Sequence, residues 1–141
     1  MTTLDTSLLT RCTPALEQAL ALLQQSAPDT VVYGLYRSAC VKEFKIITEQ
    51  AGKLLKKALR PYYASYRQVD ALVYKDIFRA AAQHGLLTSL ESERWLRYRD
   101  HRNTTAHDYG VGFAEATVTP LPQCVAGAKA LAIGIHGKPL D

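Results

Sequence analysis

The chain has 141 residues, of which 48% are hydrophobic and 21% charged, and its formal net charge is +4. This composition is ordinary for a soluble globular protein and argues against disordered, collagen-like and membrane-spanning classes, since every apolar run is far shorter than a bilayer-crossing helix. The first residues lack the basic and apolar regions of a signal peptide, so we expect a cytoplasmic protein. The length predicts one domain over residues 1–141.

Two helices are predicted in the first half of the chain. The first ends near Ser26 and starts either at Thr13-Pro14 or at an earlier turn from Asp5, which would place the proline inside it. The second covers residues 30–59 and would be about 45 Å long. Its apolar residues recur on one stripe, which predicts the spine of a bundle. They are Val32, Leu35, Tyr36, Ala39, Cys40, Phe44, Ile47, Ala51, Leu54, Leu55 and Ala58.

A tyrosine-rich stretch without clear periodicity follows Arg60-Pro61, which ends the second helix. We expect a loop here with one helical turn. Tyr62, Tyr63 and Tyr66 either stack on nucleic-acid bases or cover the end of the bundle, and the second arrangement is the commoner one.

Three further helices are predicted in the second half. One covers residues 74–84 and is closed by Gly85, one starts at a capping box over residues 88–91, and one starts at Thr119-Pro120. No strand-like alternation or repeat occurs. The sequence therefore predicts an all-α fold, an antiparallel up-and-down bundle of about five helices that resembles a four-helix bundle.

The cysteines and histidines show no metal-binding spacing. Cys12, Cys40 and Cys124 are far apart and stand among apolar neighbours, which is typical of small buried hydrophobic side chains. Phosphate loops, dinucleotide fingerprints and the paired aspartates of a nucleotidyltransferase are absent from the sequence. We therefore expect neither a cofactor nor a metal. We interpret His84 and His101 as surface or end-capping residues.

The helix after the capping box loses its apolar face halfway. Trp95, Leu96 and Tyr98 offer an apolar side, but no aliphatic residue occurs from Arg99 through Thr105. A helix that continues through this run carries polar side chains into an interior or an interface, where an unpaired polar group costs about 1–3 kcal/mol. The run therefore predicts a site, and because one small bundle offers few partners it also predicts a homodimer through this helix and the second one.

Three residues in and beyond this run are suited to RNA cleavage by the RNA's own 2′-hydroxyl. His107 is the candidate general acid or base, because imidazole titrates near neutral pH. Arg102 would stabilise a phosphorane, and Asn103, one turn before His107, would fix its tautomer or bind a phosphate oxygen. Arg102 and His107 diverge by about 140° on one helix, so they meet only through the long arginine, a frayed helix end or a second subunit. From spacing alone a capping and salt-bridge network is favoured instead, with Asp100, Asp108 and Glu49 as partners.

Basic residues gather in two groups that could follow a phosphate backbone. Arg94, Arg97 and Arg99 precede Arg102 on the same predicted helix, and we predict that these three bind nucleic acid. The second group closes the long helix, and for it a solvated helix face is the commoner interpretation. It consists of Lys53, Lys56, Lys57 and Arg60.

Residues 102–109, Arg-Asn-Thr-Thr-Ala-His-Asp-Tyr, resemble the Arg, four residues, His, one residue, Tyr signature of HEPN-domain proteins. The surroundings are similar to the branch called nucleotidyltransferase substrate-binding proteins, over most of residues 31–109. Residues 75–87 end in Gly-Leu-Leu, where that branch reads Gly-Leu-Ile. Residues 49–53 follow its Glu-Leu-Ala-Trp-Lys, except that Gln50 replaces the apolar residue and Gly52 the tryptophan.

The resemblance implies two functions of different class. In the first, the protein is a toxin, a metal-independent endoribonuclease in which Arg102 and His107 of two protomers face each other across a homodimer cleft. A minimal nucleotidyltransferase antitoxin restrains it and attaches a nucleotide monophosphate to Tyr109. In the second, the protein is a noncatalytic subunit that binds a nucleotide or presents a substrate to a two-component nucleotidyltransferase. A purely structural bundle is the third interpretation.

Overall fold

The computed structural model describes residues 4–105, 118–136 and 138, and for residues 102–105 it describes the backbone alone. The described residues form six α-helices and no strand, which confirms the predicted all-α fold. A single 3₁₀ turn, Arg60–Tyr62, follows the second helix. The helices are α1 (Ser7–Gln24), α2 (Val31–Leu59), α3 (Tyr66–Asp70), α4 (Tyr74–Gln83), α5 (Ser89–Thr105) and α6 (Leu121–Ile135).

Helix α1 begins at the earlier of the two predicted starts, so Pro14 lies inside it. The amide of Thr10 already donates to the carbonyl of Thr6 at 2.9 Å, which shows that the helix is formed before the proline. The buried Thr13 hydroxyl donates to the carbonyl of Leu9 at 2.7 Å. The ring of Pro14 removes one backbone donor and is accommodated at this point. The helix ends at Gln24, two residues before the predicted Ser26.

Helix α2 has the predicted bounds but only part of the predicted buried stripe. Thr30 caps its start, where its hydroxyl oxygen accepts from the amide of Tyr33 at 3.2 Å. From Cys40 onward the stripe is buried. Three apolar residues near the start are instead exposed to 81%, 48% and 64%. Because the second and third belong to the predicted stripe, the prediction that the stripe packs inside the bundle is wrong at those two. These residues, Val31, Val32 and Leu35, are called the α2 patch below.

Helices α4 and α5 form a hairpin that carries the aromatic part of the core. The turn is closed by Gly85 at a φ of 75°, a left-handed conformation that favours glycine, as predicted. The capping box also forms: the Thr88 amide donates to the Glu91 carboxylate at 3.0 Å, and the Glu91 amide donates to the Thr88 hydroxyl at 3.1 Å. Further along, the ring of Trp95 packs on Phe78 with centroids 6.0 Å apart.

Helix α6 covers the other side of α5 and closes the core against α1. The buried Tyr98 donates its hydroxyl to Oε1 of Gln123 at 2.9 Å. On the outer side, Nζ of Lys129 forms an ion pair with Glu17 at 2.8 Å. The core thus lies between α1, α2, α4, α5 and α6, and α5 runs through it with polar residues at its far end.

The tyrosine-rich stretch after α2 packs against the C-terminal end of α4. Tyr62 stacks on His84 with ring centroids 4.4 Å apart, and Tyr63 meets the same imidazole edge-on at 6.2 Å. The guanidinium of Arg60 lies 4.7 Å from the ring centroid of Tyr66. His84 is the C-cap of α4, as predicted. These contacts agree with tyrosines that cover the end of the bundle, and base stacking stays a prediction.

The cysteines are buried and free, as predicted. Burial raises the pKa of the Cys40 thiol to about 11 and that of Cys124 to about 12, so both are protonated at neutral pH. Within residues 4–105 and 118–136, no group of three or more His, Cys, Asp or Glu side chains is placed to hold a metal ion. In the same residues no helix has the length and apolar character to cross a membrane.

Candidate functional site

The signature occupies the last turn of α5 and the residues after it. The backbone of Arg102 and Asn103 belongs to α5, which shows that the helix continues through the polar run as predicted. The side chains of these two residues are outside the described part of the chain, and so are His107 and Tyr109 entirely. Their predicted roles in catalysis and modification therefore stay predictions. The described residues define the surroundings of the last turns of α5.

Arg99 is held in place three residues before Arg102. Its guanidinium lies 4.4 Å from the ring centroid of Tyr74, at the start of α4. A cation over an aromatic face is stabilised by about 0.5–1 kcal/mol, and more where water is excluded. Nε of Arg99 is enclosed and has no hydrogen-bond partner among the described residues. Packing against Tyr74 therefore positions this cation.

Tyr74 in turn is anchored on α2. Its hydroxyl donates to the carbonyl of Thr48 at 2.8 Å, and its ring lies against Gly52. A β-carbon built on Gly52 would stand 2.7 Å from Cε2 of the ring, which is closer than side chains pack. The glycine that departs from the family pattern thus makes room for the tyrosine.

The three predicted nucleic-acid-binding arginines do not form one patch. Arg94 and Arg97 lie on the side of α5 that faces α6, each beside Tyr98 and Gln123. Arg99 points about 140–160° away from them on the helical wheel, toward α2 and α4. The structure therefore separates Arg99 from the other two.

Arg99 instead joins two lysines of the second basic group. Lys53 and Lys56 of α2 line a cavity of about 260 Å³ together with Arg99. The same cavity is lined by Glu49, Gly52, Tyr74 and Ile77 and is called the basic cavity below. The sequence held a partial signal for it, because positions 49, 53 and 56 recur at helical spacing on α2. The contribution of α5 could not be read from that spacing.

His101 lies deeper than its interpretation as a surface or capping residue implied, and that interpretation is wrong. Its ring meets Phe44 of α2 edge-on, with centroids 6.2 Å apart. Nε2 is enclosed without a hydrogen-bond partner among the described residues. Burial lowers the pKa of His101 below its ordinary value of 6.5, which favours the neutral imidazole at neutral pH.

The helical bundle, with a polar run at the end of α5 in which the Arg, four residues, His pattern of the sequence begins, defines a protein of the HEPN class. A family model described as "Nucleotidyltransferase substrate binding protein like" matches residues 5–131, and the chain belongs to that family. The resemblance found in the sequence is thus confirmed.

A curated relative and two solved structures are similar to this chain. The relative is the probable ribonuclease HepT of Haemophilus influenzae, 31% identical over 81 residues, which cover 57% of this chain and only 51% of the relative. A Haemophilus influenzae structure described as the substrate binding domain of a nucleotidyltransferase matches with a TM-score of 0.79 and 22% identity, over 93% of this chain and 98% of that one. A Thermus thermophilus structure matches with a TM-score of 0.64 and 25% identity, over 86% and 98%. These structures support the helical fold.

Proposed function

We propose that this protein is a HEPN-type toxin, an endoribonuclease that cuts RNA without a metal ion. The observation that carries the proposal is the polar run at the end of α5, from Arg99 through Thr105, which contains Arg102 and Asn103 and is followed in the sequence by His107. A relative over 81 residues that is named as a probable ribonuclease supports it.

The proposed reaction uses the RNA's own 2′-hydroxyl as nucleophile. His107 accepts the proton of that hydroxyl while its oxygen attacks the adjacent phosphorus, and the bond from phosphorus to the 5′-oxygen breaks. The leaving 5′-oxygen takes up a proton, so the direct products are a 2′,3′-cyclic phosphate end and a 5′-hydroxyl end. Addition of one water molecule then opens the cyclic phosphate to a 3′-phosphate. Arg102 stabilises the charge on the nonbridging oxygens, and Asn103 orients the imidazole or a phosphate oxygen. The proposed reaction requires no redox partner and no cofactor.

The active site is proposed to form between two protomers. Arg102 and His107 diverge by about 140° on one ideal helix, and a homodimer brings the arginine of one protomer to the histidine of the other. The α2 patch supports this arrangement. His101 contacts Phe44 of α2, and the patch lies on α2 on the N-terminal side of Phe44, toward the end of the bundle where α5 ends. Burial of this patch between two copies would place both signatures at one interface.

A partner minimal nucleotidyltransferase is proposed to restrain the enzyme through Tyr109. Attachment of a nucleotide monophosphate to that hydroxyl would put a phosphate charge and a nucleoside beside Arg102. The charge and the bulk together would keep RNA out of the cleft. Tyr109 follows Arg102 by seven residues in the sequence, a spacing that would put both on one face if the helix continued to Tyr109.

A second candidate is a noncatalytic subunit that binds a nucleotide or substrate for a two-component nucleotidyltransferase. It is favoured by the solved neighbour that is described as a substrate binding domain of such an enzyme. Expression without a partner separates the two functions. A toxic effect that His107→Ala abolishes favours the ribonuclease, and harmless expression of both forms favours the binding subunit.

The direct test is RNA cleavage by the purified protein in the presence of a chelator. We expect cyclic or 3′-phosphate ends, and a rate that Arg102→Ala and His107→Ala each lower by at least about tenfold. Arg79→Ala is the control, because Arg79 is an exposed arginine of α4 that is not part of the signature. Unchanged cleavage in both signature variants would overturn the proposal.

A further inference from the structure

Three cationic side chains surround the basic cavity, and among the described residues that line it the only carboxylate belongs to Glu49. Among the residues that the structure describes, neither Lys53, Lys56 nor Arg99 is within ion-pair distance of an acidic side chain. Lys56 donates to the backbone carbonyl of Asp70 at 2.8 Å, which leaves its charge uncompensated. A concave site with three cations and one acid attracts anions.

The arginine of this cavity is fixed before any ligand arrives. Arg99 stacks on Tyr74, whose hydroxyl is tied to Thr48 and whose ring rests on Gly52. A side chain that is already ordered loses less conformational entropy when it binds. The planar guanidinium with two flexible ammonium groups beside it matches the oxygens of a phosphate group.

The size of the cavity limits which ligands can bind in it. Its volume of about 260 Å³ is below the range of about 300–1,000 Å³ that is typical of drug-sized ligands. The ring of Tyr74 already contacts Arg99 of α5 and Gly52 of α2, so these contacts occupy the aromatic surface on which a nucleobase would stack. The cavity therefore suits a phosphate group better than a nucleobase.

The position of the cavity relates it to the proposed cleavage site. In the register of α5, positions 102 and 103 follow Arg99 by three and four residues, so they lie on the same face one turn further along. The Cβ atoms of such residues are about 5–6 Å apart. We propose that the basic cavity binds a phosphodiester of the RNA next to the one that is cut. This proposal rests on the proposed ribonuclease function and adds a substrate-positioning site to it.

Binding without cleavage tests the proposal. The probe is a fluorescent single-stranded 2′-O-methyl oligoribonucleotide, which lacks the attacking hydroxyl, and the measurement is the anisotropy of the full-length protein's complex over a range of salt concentrations. We expect Lys53→Ala to weaken binding several-fold and to reduce the slope of log affinity against log salt by about 0.7, the value for one phosphate contact on a single strand. Arg99→Lys should weaken binding with little change of slope, because the charge stays and the planar fork is lost.

Lys57→Ala is the matched control, since Lys57 is an exposed lysine of α2 that does not line the cavity. Equal effects of Lys53→Ala and Lys57→Ala would overturn the cavity proposal, even if cleavage still depends on His107. A different outcome is that the wild type does not cut RNA while the two lysine variants differ in the slope of log affinity against log salt. That outcome would support the phosphate site and contradict the ribonuclease function. If Lys53→Ala weakens binding to a partner protein and leaves RNA binding unchanged, the cavity serves an acidic protein surface and the proposal is wrong.

Discussion

Tyr74 lies so close to Gly52 that a β-carbon on the glycine would stand 2.7 Å from Cε2 of the ring. The two residues come from different helices, α4 and α2, and the contact supports the ring on which Arg99 is stacked. Because Gly52 has no side chain, the Tyr74 ring can occupy the position in which it supports the Arg99 guanidinium.

Gly52→Ala should destabilise the protein although alanine is the better helix former. Overpacking costs about 1–3 kcal/mol, and the gain in helix propensity returns about 0.5–1 kcal/mol. Urea denaturation should thus show a net loss of about 1 kcal/mol, together with weaker oligoribonucleotide binding because the Tyr74 ring is displaced. Gly34→Ala is the control in the same helix, where a β-carbon meets nothing within 4 Å, and it should be neutral or stabilising. A stabilised Gly52→Ala protein would show that the contact with Tyr74 is not tight.

Local signals in the sequence predicted most of the helix bounds. Thr30 and Arg60-Pro61 delimit α2 through a cap and a proline, and the box of Thr88 and Glu91 starts α5, because these signals act within one turn. The contact of Tyr74 with Gly52 spans two helices, so neither spacing nor propensity could reveal it. The sequence resemblance indicated only that position 52 departs from tryptophan.

Periodicity also failed to separate a core from an interface. Val32 and Leu35 continue the stripe that Phe44 occupies, yet they are exposed while Phe44 is buried, because the other described helices of one chain do not reach them. An apolar stripe indicates only that one face of the helix is buried, and it does not indicate whether the same chain or a second one buries it. For the signature itself, the helical course of α5 through Arg102 could be predicted, and the separation of Arg99 from Arg94 follows from helical spacing. The residues of α2 and α4 that surround Arg99 became visible only in the structure.

Leu35→Glu should convert the proposed homodimer to a monomer, because it places a charge in the α2 patch, where Leu35 is 64% exposed. Sedimentation velocity at micromolar concentration measures this. The control is Ile133→Glu, which introduces the same charge at a residue that is 81% exposed on α6, and it should stay dimeric. A wild-type protein that sediments as a monomer at this concentration would contradict the proposed dimer.

His101 should make stability decrease in mild acid. Burial lowers the pKa of this imidazole below 6.5 in the folded protein, whereas the unfolded chain regains the ordinary value. As the pH falls from 7 toward 5, the unfolded state therefore takes up more protons and the free energy of unfolding decreases. His101→Gln removes this group, so urea denaturation at the two pH values should differ less than in wild type. An equal loss in both proteins would assign the pH dependence to other groups.

Tyr109 should accept a nucleotide monophosphate from a partner minimal nucleotidyltransferase supplied with ATP. Intact mass spectrometry should show the added nucleotide on wild type and none on Tyr109→Phe. The modified protein should cut RNA more slowly, because the attached phosphate is proposed to lie beside Arg102. If Tyr109→Phe gains as much mass as wild type, the modified residue is another one.

Pairing of protomers with different substitutions tests the composite site most directly. Arg102→Ala and His107→Ala proteins, carrying different affinity tags, are co-expressed, and the mixed dimer is purified and assayed on RNA with a chelator present. Each single-variant dimer should be inactive, while the mixed dimer holds one intact arginine and histidine pair of the two and should recover about half of the wild-type rate. A mixed dimer as inactive as its parents would contradict a site shared between protomers, and parents as active as wild type would contradict the ribonuclease site itself.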